Sequence, residues 1–95
     1  AFSPTDLVAT SLGSCMISIM AIKSKELDVD LVDSTIEITK IMQAEPRKIS
    51  KLVVALFLPN TSEKNKIILE RAAMTCPVFL SLHPDIEKDV TFHWK

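Results

Sequence analysis

Two side chains in this sequence stand out for covalent chemistry: Cys15, in SLGSCMISIM, and Cys76, in TCPVFLSL. Three readings of the pair are open: two buried small hydrophobes, a structural disulfide, or a redox couple. Cys76 directly precedes Pro77, a residue suited to the first position of a helix. It then occupies an N-cap, where backbone N–H groups and the positive dipole end favour a thiolate. Cys15 lies among apolar residues, where no dipole helps it and burial raises a thiol's pKa. Only a polar or cationic neighbour, such as an arginine, would make it reactive.

Other chemistries find less support. His83 and His93 show neither CxxC nor HxxxH spacing with the cysteines, so no metal site is expected. A single glycine leaves no phosphate-binding loop, and two histidines are too few for a hydrolase triad to be argued. Eleven basic and twelve acidic residues give a net charge of −1, so a nucleic-acid partner has no electrostatic basis. The local cluster Arg47, Lys48 and Lys51 reads as a solvated strand end. No basic leader or cleavage pattern precedes the first helix signal, where Ala1 and Phe2 lead straight into SPTD. The apolar window Leu7–Ile22 is broken by Thr10, Ser11, Ser14 and Ser18 and falls short of the ~20 apolar residues a bilayer needs. Thiols without a secretory leader point to a reducing, cytoplasmic compartment.

Several elements must position these residues. SPTD predicts a helix start with Ser3 as N-cap, Pro4 at the first position and Asp6 closing a capping box. The helix runs on to about Lys25, with Ser11, Ser14 and Ser18 as a small-residue stripe, Gly13 beside it and Cys15 at its border. That pattern predicts a buried central helix, with Cys15 on an inside wall. LVDSTIEITKIM (31–42) alternates as a strand, and KISKLVVALFLP (48–59) follows across a turn at Pro46, so the two form a hairpin. The second strand is apolar on both faces, which predicts cover on both. Thr61 or Ser62 caps a second helix reaching about Thr75, Pro77 opens a short third one, and DVTFHW alternates as a closing strand. Ninety-five residues make one domain, 1–95, and helices against one side of a sheet give an α+β architecture. With 47% hydrophobic residues, so small a chain is expected to self-associate.

SPTDLVATSLGSCM resembles the central-helix signature of the OsmC/Ohr superfamily, and AAMTCPVFLSL resembles its second signature. The two stand in order, with a hairpin between them and a strand after, so the resemblance covers essentially the whole chain. It implies an OsmC-like α+β fold: a long central helix on an antiparallel-rich sheet with a second helix pair, in an intertwined homodimer whose pockets lie at the interface. It also implies a thiol-dependent peroxidase without metal or organic cofactor. Cys15 would attack an organic hydroperoxide, Cys76 would resolve the sulfenic acid, and a dithiol would regenerate both. On this point it differs from the dipole argument, which favours Cys76 as the more acidic thiol.

The chain also departs from the peroxidase pattern. Thr5 stands where those members carry a glutamate, with Asp6 one position on, as in the YhfA-like branch; Thr5 and Asp6 are therefore the supporting candidates. The family's N-terminal strand region, with its activating arginine, is absent from this sequence, so truncation or a partner's contribution is expected. These departures favour an alternative, a catalytically silent OsmC-like dimer that binds a small apolar ligand in the interface pocket.

Overall fold

The capping chemistry at SPTD sets the start of the fold. In the computed structural model, which describes residues 3–95, Ser3 Oγ accepts from the Asp6 N–H and Asp6 Oδ2 accepts from the Ser3 N–H, each at 3.2 Å. This reciprocal pair satisfies two otherwise orphaned donors and opens α1, Pro4–Glu26. Ala1 and Phe2 lie outside the described residues. The helix ends without a glycine: Asp28 takes the left-handed conformation at φ 55°, which a short polar side chain tolerates.

The hairpin follows as β1, Thr35–Gln43, paired antiparallel with β2, Lys48–Leu58. β1 starts later than the alternation suggested, because Asp33 is also left-handed (φ 62°) and Ser34 folds back onto the Leu31 carbonyl. Ser62 caps α2, Glu63–Met74, its Oγ accepting from the Asn65 N–H at 3.2 Å. α3 spans Pro77–Ser81 with Cys76 as its N-cap. β3, Glu87–Trp94, closes the sheet in the order β1-β2-β3. It runs parallel to β2, as α2 and α3 bridge the two strands and return the chain to its starting edge. The sheet is therefore mixed: one antiparallel and one parallel pairing.

The helices cover one face of this sheet. Leu52, Val54, Leu56 and Leu58 of β2 are fully buried against Leu12, Met16 and Met20 of α1, Leu69 and Ala73 of α2, and Cys76. The expectation of cover on both faces does not hold, since Val53, Ala55 and Phe57 on the opposite face are only half-buried. There Phe57 stacks on His93, its register partner, at 4.8 Å between ring centroids. Trp94 ties β3 to α2 by donating its indole N–H to Glu70 Oε2 at 2.9 Å.

The small-residue stripe is also not where a buried helix would put it. α1 presents Ala9, Leu12, Gly13, Met16 and Met20 to the core, while Ser11, Ser14 and Ser18 are exposed beside Leu7 and Ile22. A single sheet face covers only one stripe of a helix, and the larger apolar residues gain more from it. At 23 residues α1 is long and apolar enough to cross a bilayer, more so than the Leu7–Ile22 window indicated. Here its apolar stripe instead seats the sheet of a compact domain.

Candidate active site

Burial and helix geometry bring the two cysteines together. α1 carries Cys15 one residue before Met16, which is fully buried in the core, so the thiol lies half-buried at the edge of the packed stripe. The turn after α2 brings Cys76, fully buried, up beside it. The two side chains adjoin closely enough to interact, and both are free thiols.

Cys76 does cap α3: the Phe79 N–H donates to its Sγ at 3.3 Å. The thiol is nevertheless not acidified. Burial pushes it above its ordinary value, and the adjoining Cys15 adds to the rise, while the Phe79 and Val78 N–H groups oppose them without prevailing. The dipole expectation fails for two physical reasons. A five-residue helix sums only a small dipole, and removing a thiolate from water costs more than one N–H returns.

Thr5 and Asp6 lie elsewhere within the chain. Lys40, on β1, reaches Asp6 Oδ1 at 2.9 Å and donates to Ser3 Oγ at 3.1 Å and to Thr5 Oγ1. Asp6 is nine residues before Cys15, about 13 Å along the helix at roughly 1.5 Å per residue. Both candidates are thus engaged at the opening turn, away from the thiols of their own chain. Sequence reasoning missed Lys40, although a signal was present: the alternation that puts Ile36, Ile38 and Met42 inward also puts Lys40 inward, and an inward lysine needs a partner.

The basic cluster is solvated, with Arg47 and Lys48 exposed and Lys51 paired to Glu87 at 2.9 Å. His83 sits in the loop after α3, its Nδ1 accepting from the Asp85 N–H at 3.0 Å. His93 lies on the open sheet face. Neither joins the cysteines. A groove of about 450 Å³ runs between α1 and α2, walled by Ile19, Ile22, Ile68 and Ala72, with Lys23, Glu26 and Arg71 at its rim and Thr75 at one end. Sequence reasoning did not single out these residues, because a groove between two helices has no signature on either one.

The class of protein is thus an α+β domain with a free thiol pair where a central helix meets a short capped one. Comparison with known proteins makes it specific: residues 1–91 match the model of the OsmC-like protein family, and the chain belongs to that family. The crystal structure of a Psychrobacter arcticus 273-4 protein, named for the osmotic stress and detoxification response, is 45% identical with a TM-score of 0.93. The match covers 98% of this chain and 69% of that one. An OsmC-like protein from Mycoplasma pneumoniae shares the fold at 13% identity and TM-score 0.84, over 99% of this chain and 72% of that one. An organic hydroperoxide resistance protein from Legionella pneumophila does so at 21% and 0.72, over 98% and 70%. No curated protein matches the chain.

Proposed function

We propose that this chain is a thiol-dependent peroxidase that reduces organic hydroperoxides through Cys15 and Cys76. The observation that carries the reading is the asymmetry of two adjoining free thiols, one half-buried and one fully buried with a raised pKa. A peroxide arriving from solvent meets Cys15 first. The Cys15 thiolate attacks the outer peroxide oxygen, the O–O bond breaks, and the alkoxide leaves as the alcohol after taking a proton. Cys15 is then a sulfenic acid. Cys76 Sγ attacks the oxidised sulfur, forming the disulfide and releasing water. A dithiol reductant returns both cysteines to thiols while itself becoming a disulfide. Neither step calls for a metal or an organic cofactor. The organic hydroperoxide resistance named for the Legionella relative accords with this chemistry.

A homodimer in the cytoplasm completes the reading. α1 leaves Leu7 (56% exposed) and Ile22 (62%) on the same side as its serine stripe, and small residues between larger apolar ones let a second helix approach closely. One observation favours the alternative, a silent dimer binding an apolar ligand: Thr5 and Asp6 are held by Lys40 rather than turned toward the thiols.

The test is thiol counting. Reduced protein mixed with a slight excess of cumene hydroperoxide should lose both thiols together. Cys15→Ser should keep Cys76 as a free thiol under the same treatment. Thiols that persist for minutes would sink the peroxidase and leave the silent dimer.

A further inference from the structure

β3 turns one lysine toward the helices. Its alternation sets Lys88, Val90, Phe92 and Trp94 on the half-buried side, with Glu87 and Asp89 outward. An ammonium on that side needs partners, and Lys88 finds them in α3 and the loop after it. Its Nζ donates to the Ile86 carbonyl at 3.0 Å and to the His83 carbonyl at 3.4 Å, and it stands 5.7 Å from the centroid of the Phe79 ring. That last distance is within the reach of a cation–π contact. Phe79 in turn is the residue whose N–H donates to Cys76 Sγ at 3.3 Å. Two contacts therefore join a cation of the sheet to the buried thiol. α3 depends on such tethers. It is five residues long and none of its residues is fully buried, so neither helical cooperativity nor packing fixes it firmly. Cys76 holds its start, through Sγ and through its carbonyl, which accepts from the Leu80 N–H at 3.1 Å. Lys88 holds its far side.

We infer that Lys88 is a positioning residue for Cys76: seated on the Phe79 ring and holding the loop behind it, it keeps the Phe79 N–H on the sulfur and so aims Cys76 at Cys15. The step it governs is the closing of the Cys15–Cys76 bond, where Cys76 Sγ must approach the Cys15 sulfur in line with the departing group. A frayed α3 lets the Cys76 side chain turn to other rotamers, and fewer approaches are then productive. Losing the N–H also leaves burial less opposed in raising the thiol, which lowers the thiolate fraction further. The effect on turnover rests on the peroxidase reading; the effect on bond closing does not.

The first measurement uses diamide, an azo oxidant, on the reduced protein. The Cys15 thiolate adds to the N=N bond, which takes up a proton. Cys76 Sγ then attacks that sulfur, the S–S bond forms, the S–N bond breaks, and the hydrazine leaves with a second proton. At saturating diamide the observed rate is that of closing. Lys88→Met should slow it about tenfold, and Lys88→Arg, which keeps the cation and its donors, should restore it to within about twofold. Phe79→Leu keeps the N–H and removes only the ring. It should slow closing about threefold by itself and not at all in the Lys88→Met background, and it carries the test alone if Lys88→Met does not fold. Unchanged closing in Phe79→Leu or in folded Lys88→Met, no rescue by Lys88→Arg, or independent effects of the two substitutions overturns the inference.

The second measurement uses cumene hydroperoxide with dimedone, which traps sulfenic acid. Lys88→Met should lose its first thiol as fast as the unaltered protein and accumulate the Cys15 adduct. Equal slowing of both steps marks a merely structural defect and overturns the inference. Slower closing by diamide with no reaction toward the hydroperoxide refutes the peroxidase and keeps the positioning role. Turnover with closing unchanged keeps the peroxidase and refutes the role of Lys88.

Discussion

Lys40 Nζ stands 2.9 Å from Asp6 Oδ1 and thereby locks β1 to the opening turn of α1. The Lys40 hydrogen bond, and after it the Ser3 N–H, hold the Asp6 carboxyl below its ordinary value of 3.8. A depressed carboxylate means that the unfolded chain binds more protons than the native one in acid, so stability rises with pH there. The contribution is complete above the unfolded value and is lost as pH falls through the lower folded one. Lys40→Met should therefore lower stability at neutrality and flatten its fall below about pH 4, so that the two curves converge in acid. Urea melts of both proteins across the acid range check this; parallel curves would show that the pair does not act.

The thiols should differ in reactivity. With reduced native protein near neutral pH, iodoacetamide should label half-buried Cys15 at least about tenfold faster than Cys76, since only exposed thiolate reacts. Peptide mapping by mass spectrometry reads the order, and faster labelling of Cys76 would reverse the proposed roles. The raised Cys76 pKa has a further consequence with a definite sign. Its unfolded thiol, near 9.0, ionises before the folded one, so native stability is held below that pH and declines as pH climbs beyond it. Cys76→Ala should remove that alkaline decline.

Gly13 lets α1 lie close to β1. A Cβ there would collide with Ile38 Cδ1 and stand 3.2 Å from Ile36 Cδ1. Gly13→Ala gains about 1 kcal/mol of helix propensity against an overpacking cost of about 1–3 kcal/mol. A net loss of about 1 kcal/mol is expected, lowering Tm by roughly 4–8 °C. Ile38→Val removes the colliding methyl, so the double variant should be less destabilised than the two single losses added together. Strict additivity in thermal melts would contradict the contact.

The exposed face of α1 predicts an interface. In the proposed homodimer that stripe is the contact, so Ser18→Lys, which places a charge in its middle, should shift the protein toward monomer in sedimentation velocity. Glu37→Lys, on the open face of the sheet, should leave the assembly as it was. The opposite pattern would move the interface to the sheet.

Much of the fold was legible because its signals are local. Ser3 and Pro4, Ser62, and Cys76 with Pro77 mark three helix starts through short-range capping chemistry, and the structure places each there. The alternation in TIEITKIM sets the inward face of β1. The family, too, lay in two short segments, SPTDLVATSLGSCM and AAMTCPVFLSL, and residues 1–91 match its model.

The sequence by itself determined the order of helices and strands, the two thiols and the caps, because each depends on neighbours within a turn or two. Tertiary structure alone decided that the serines of α1 face outward, that β2 is covered on one face, and that burial raises the Cys76 thiol instead of acidifying it. Those outcomes depend on which surfaces compete for a single sheet face and on how much water a distant element removes. Neither quantity is written in the residues adjoining the group it acts upon.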